Sequence, residues 1–250
     1  MRFPVSFYVL SVWLGFLCVM FVCLWSGTWR GGFFVFMPCP KTLIVNTNFY
    51  SCLFFSLSCS LCVCFSLSAI VLYRVPLTWS RWWCKRAHAG LLFVATVLSV
   101  LGVCAAFDFH TANNIPHLYS LHSWTGISTV ALFTLQVQYT WSSLIEMSQY
   151  FHSRLKPLHI WMGIAIFILS LITSLSGINE KLLLTLRNGR NGSNTKPYTA
   201  LPAETLFANS LGIAVVIFGL LVLKLLSSQK WKNPESETES DRVICVFPGN

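Results

Sequence analysis

Charge is scarce in this chain. Only 10% of its 250 residues are Asp, Glu, Lys or Arg, and the acidic ones number 8. A solvated surface ordinarily draws on roughly 25% charged residues. With 55% hydrophobic residues and a mean hydropathy of +0.65, a soluble domain is excluded. Nucleic acid is excluded as a partner too: the net charge is +9, but the cations sit at the ends of apolar runs and form no basic face. Two local absences matter later. No histidine precedes His88, and the stretch 108–121 has no Lys or Arg.

What remains is apolar and segmented. Six runs of about 20 residues, the length that crosses about 30 Å of hydrocarbon, fall near Val5–Trp25, Tyr50–Leu72, His88–Phe107, His122–Ile145, Leu158–Ser176 and Leu206–Leu226. These predict an all-α membrane protein, a bundle of six transmembrane helices embedded in lipid. The first run is too long for the h-region of a signal peptide and reads as a retained helix. Residues 1–227 form the membrane domain. Residues 228–250, with Glu235, Glu237, Glu239 and Asp241, read as a disordered cytosolic tail.

Cations orient the bundle. With the N-terminus inside, Arg2, Arg74, Arg81, Lys85, Arg86, Arg154, Lys156, Lys230, Lys232 and Arg242 lie on one side, which the positive-inside rule makes cytosolic. Arg30 and Lys41 are minor exceptions; Lys181, Arg187, Arg190 and Lys196 in the last external loop are a larger one. That same loop carries Asn191-Gly192-Ser193, a glycosylation acceptor usable only on the non-cytosolic side. Both termini are therefore expected in the cytosol. The ten cysteines lie mostly in or beside apolar runs, where Cys59-x-x-Cys62-x-Cys64 and the others read as small hydrophobes rather than metal ligands.

Histidines carry the chemistry. His88, His122 and His159 each open an apolar run, 34 and 37 residues apart. An ionisable ring there is costly and marks function by default. Successive spans are antiparallel, so His88 and His159 share a depth near the cytosolic face and His122 lies near the other. A single interfacial histidine is served equally well by a backbone carbonyl. A pair matched in depth, each preceded by cations, points to a shared ligand such as an axially held haem iron. Lys85, Arg154 and Lys156 beside that pair suit a small anionic reductant, although loop cations also serve as topological anchors. The external segment with Asp108, His110, His117 and Tyr119 could take ferric iron or hydrogen-bond an organic radical, or be an ordinary polar loop with aromatic belt residues.

These residues resemble the cytochrome b-561 family of transmembrane ascorbate-dependent oxidoreductases. The resemblance is carried by Leu118-Tyr119-Ser120-Leu121-His122-Ser123-Trp124 with Gly126, Phe107-x-Phe109-His110, Lys85-x-x-His88, and Lys156-Pro157-Leu158-His159 with Gly163. Gly177-Ile178-Asn179-Glu180-Lys181-Leu182 and Phe207-Ala208-Asn209 are most similar to the lysosomal branch. Similarity runs over about 69–231, and 34–68 is divergent. The family implies two b-type haems held among helices two to five. One would be ligated by His88 and His159, with cytosolic ascorbate on Lys85, Arg154 and Lys156. The other would be ligated by His122 and a helix-two histidine. Electrons would pass to monodehydroascorbate or ferric iron near His110 on the lumenal or extracellular side. A late-endosomal or lysosomal membrane and a homodimer are further implications.

One departure stands out. The helix-two histidine position falls at Phe54, which has no lone pair to give. Three accounts follow: one properly ligated haem only, a second haem on His122 alone, or a substitute ligand among Met37, Cys52, His110 and His117. The same absence supports a second functional reading, a non-catalytic or single-haem paralogue, or a small transporter, without transmembrane electron transfer.

Overall fold

The computed structural model describes residues 5–29, 81–112, 114–146, 149–186 and 197–227. All described elements are helical: α1 (Val5–Trp29), α2 (Arg81–Ala112), α3 (Leu121–Glu146), α4 (Gln149–Leu186), a short 3-10 turn at Tyr198–Ala200, and α5 (Ala203–Ser227). The second apolar run, the divergent segment 34–68 and the tail lie outside the described residues, as do Cys59, Cys62, Cys64 and Asn191.

Four of these helices are long and apolar enough to cross a membrane, over Ser6–Trp29, Trp83–Ala112, Pro157–Leu184 and Ala203–Leu226. The protein is an integral membrane helical bundle. The 26 residues of α3 include Thr125, Ser128, Thr129, Thr134, Gln136 and Gln138 along the part facing its neighbours and beyond. Its hydroxyls mostly bond back to carbonyls one turn earlier, as Thr129 does to Thr125 and Thr134 to Val130, which is how a helix in lipid satisfies polar side chains.

Neighbouring helices pack in the order α2, α3, α4, α5, α1. Side-chain contacts fix their directions. Trp25 near the end of α1 donates its indole N–H to Glu204 at the start of α5, 2.9 Å away, while Lys224 near the end of α5 lies over the ring of Phe7. The two helices are therefore antiparallel. Glu204 also occupies the first turn of α5, where a carboxylate meets the positive end of the helix dipole. The apolar core sits among α1, α4 and α5, built from Trp25, Phe167, Leu182, Leu211, Phe218 and Val222. The three histidines lie away from it, on α2, α3 and α4.

The helices that carry His88 and His159 both start earlier than hydropathy suggests. His88 is the eighth residue of α2 and His159 the eleventh of α4, not in a first turn. Hydropathy marks where lipid begins; the helix continues beyond into water. Only His122 is in a true first turn, as the second residue of α3, where Ser120 caps the helix by accepting the N–H of Ser123.

Candidate functional site

At one end of the bundle, α2 and α4 run parallel and bring His88 and His159 together. Their ring centroids are 6.3 Å apart with the planes at 77°. A metal gripped by one nitrogen of each ring needs two bonds of about 2 Å and two ring radii of about 1.1 Å, so centroids about 6 Å apart fit a common ion. Among the described residues, no group of three or more His, Cys, Asp or Glu could hold a metal. Two imidazoles without a third protein donor suit an iron that arrives with four nitrogens of its own, as in haem. The residues present fit that group.

A third helix supports the pair. Gln136 on α3 is buried; its Nε2 donates to the His159 carbonyl oxygen at 3.0 Å and lies 3.1 Å from His159 Nδ1. A ring nitrogen that faces an amide donor carries no proton, so in this arrangement the proton of the His159 ring is on Nε2. Lys85 is exposed one turn before His88, the i, i+3 spacing that puts two side chains on one helix face. Arg154 and Lys156 belong to α4 by backbone position; their side chains lie outside the described residues.

The opposite end holds His122. Its Nδ1 is 2.9 Å from the Thr173 carbonyl oxygen on α4, so the ring donates Nδ1–H there and keeps Nε2 for a ligand, the tautomer that second-shell carbonyls impose on metal-bound histidine. Gly177, one turn beyond Thr173, makes this contact possible. A Cβ at Gly177 would come within 2.7 Å of His122 Cε1 and 2.9 Å of Nδ1. Because helical Cβ atoms tilt toward the N-terminus, any other residue at 177 would cover the carbonyl that the ring uses.

Beside His122, the loop after α2 folds into an aromatic cluster. His117 stacks on Phe107 and on His110, with centroids 4.9 and 5.8 Å apart, and Thr111 Oγ1 is 3.3 Å from His117 Nε2. Leu118 takes a left-handed conformation (φ 51°), a cost for a non-glycine residue that aims the next side chain. Tyr119 donates its hydroxyl to Glu180 of α4 at 2.6 Å. Desolvation and then the Glu180 carboxylate push the Tyr119 phenol up to about 12. Lys181 lies over the Phe109 ring. His110 thus lies between the stacked His117 ring and the tilted Tyr119 ring.

The family model for eukaryotic cytochrome b561 matches residues 54–185, which contain all three candidate ligands, His110 and Gly177. The chain belongs to the cytochrome b561 family. A lysosomal membrane ascorbate-dependent ferrireductase from Danio rerio is 43% identical over 244 residues, covering 94% of each chain. The Homo sapiens protein of that name is 40% identical over 248 residues, covering 94% of this chain and 93% of its own. A plasma membrane ascorbate-dependent reductase from Xenopus laevis is 34% identical over 242 residues, covering 93% and 78%. Within the cytochrome b561 family the chain is thus most similar to the lysosomal branch.

Sequence reasoning did not single out Gln136 or Thr173, and it gave Gly177 and Glu180 no role beyond membership of a motif. A polar amide in an apolar run is a usable signal, but its partner 23 residues away depends on the register of α3 against α4. Thr173 acts through its backbone, which no side-chain pattern reveals.

Proposed function

We propose that this protein is a transmembrane oxidoreductase that takes electrons from cytosolic ascorbate and delivers them to ferric iron or monodehydroascorbate on the lumenal or extracellular side. The observation that carries this is the 6.3 Å approach of the His88 and His159 rings in a chain that aligns almost end to end with named ascorbate-dependent ferrireductases. His88 and His159 would hold one haem b at the cytosolic end, in a six-helix bundle with both termini cytosolic. Haem b, when bound, supplies one-electron carriage.

The chain's own residues supply the rest. Lys85, Arg154 and Lys156 attract the ascorbate anion and orient it by charge-assisted hydrogen bonds. Gln136 and the Thr173 carbonyl fix the rings of His159 and His122. His122 would hold a second haem b, tethered through Nδ1 and presenting Nε2. Position 54 contributes no ligand to it, because a phenylalanine ring has no lone pair to donate. His110, with His117 and Tyr119, forms the acceptor surface at that end. A late-endosomal or lysosomal membrane is the compartment this reading favours, after the printed names of the relatives. The paralogue without activity is not favoured, since the relatives named above are reductases.

Proteoliposomes with a trapped ferric chelate and a ferrous indicator test the function. Ascorbate added at the cytosolic face should produce ferrous iron inside, and His159→Ala should stop it. Ferrous iron appearing at equal rates in protein-free vesicles and in vesicles with protein would end the proposal.

A further inference from the structure

The Gln136 amide sits where it controls a proton it does not own. In the structure its nitrogen is the atom beside His159 Nδ1, at 3.1 Å, and it also donates to the His159 carbonyl oxygen at 3.0 Å. A donor facing Nδ1 requires that nitrogen to be bare, which leaves the ring proton on Nε2. A ring protonated on Nε2 cannot bind iron there. A His159 ring that held iron through Nε2 would carry its proton on Nδ1, and Nδ1–H would need an acceptor. The carboxamide offers one if its two ends exchange, since oxygen and nitrogen occupy nearly the same space. The exchange gives up the bond to the His159 carbonyl, which keeps its ordinary helical i+4 partner.

Gly163 lies opposite, where a Cβ would be 3.4 Å from the amide nitrogen, an ordinary van der Waals contact. Gln136 is buried on α3, so bulk water is a poor competitor for the ring nitrogen.

We propose that Gln136 is a positioning residue that turns its amide end for end when iron binds His159, and that its oxygen, by accepting from Nδ1–H, tunes the reduction potential of the cytosolic haem. This rests on the reading of His159 as an axial ligand. An acceptor on Nδ1–H makes imidazole a stronger donor and favours ferric over ferrous iron, so the wild-type amide holds the potential down.

The test is a potentiometric titration of haem-loaded, full-length protein, with the cytosolic haem identified by its loss in His88→Ala. Gln136→Leu should raise that midpoint by about 59 mV, the one-electron equivalent of a tenfold change in the ferric-to-ferrous affinity ratio. Gln136→Glu, which keeps an acceptor oxygen whether or not it ionises, should return the midpoint to the wild-type value or below. Gln136→Met serves in place of the Leu variant if that one does not fold. An unmoved midpoint in the apolar variant, or a Glu variant that behaves like the apolar one, overturns the inference while leaving the ligand reading intact. Retention of the low-spin spectrum in His159→Ala overturns both.

Discussion

A glycine decides whether His122 can meet its carbonyl. Gly177→Ala would place a methyl group 2.7 Å from the His122 ring, which its bond to the Thr173 carbonyl holds in place. Overpacking of this kind costs about 1–3 kcal/mol. The expected outcome is a lower unfolding temperature in detergent, and a smaller loss when His122→Ala is already present, because the clash partner is gone. Equal losses in both backgrounds would mean that the strain lies elsewhere. Tyr119 gives a second residue-scale prediction. Its raised phenol pKa favours the neutral, hydrogen-bonded form in the folded protein. That contribution is whole below the ordinary tyrosine value of about 10 and disappears as pH rises through about 12. A phenolate absorbance titration of the wild type minus Tyr119→Phe should therefore show one tyrosine ionising near pH 12; a difference curve centred on pH 10 would contradict the bond to Glu180.

At the scale of elements, one buried hydrogen bond adds to the apolar packing between α1 and α5. Trp25→Phe removes the indole donor to Glu204, and a bond to a charged acceptor contributes about 1.5–3 kcal/mol. Thermal unfolding should show that loss, with a lesser one for Glu204→Gln, which keeps an acceptor. A Gln variant as weakened as the Phe variant would assign the contact to charge rather than to the bond. Elements were also where the sequence was only half legible. The apolar runs located all five described helices, because lipid demands continuous hydrophobicity. They missed the starts of α2 and α4, because helix outside the membrane needs no apolar signature: 32 residues of α2 extend about 48 Å, against about 30 Å of hydrocarbon. His88, His122 and His159 were legible as ionisable rings in apolar surroundings. Gln136, Thr173 and the Tyr119–Glu180 bond were not, since each depends on how far one helix is slid along another.

The whole molecule has two chemical ends. His122 and Gln136 are 14 residues apart on α3, about 21 Å at 1.5 Å per residue, so the His88–His159 pair and His122 lie toward opposite ends of the bundle. Such an arrangement suits passage of electrons across a membrane rather than chemistry at one face. The account expects a haem-to-polypeptide ratio near two in purified protein, falling toward one in His122→Ala. A wild-type ratio near one that His122→Ala does not change would leave His122 as a structural histidine.

The pairing of His88 with His159 around one iron is tested most directly by the ferric low-spin signal of the purified protein, read by absorbance and electron paramagnetic resonance. The account predicts that His88→Ala and His159→Ala each abolish the same low-spin component. Survival of that component in either variant would contradict it.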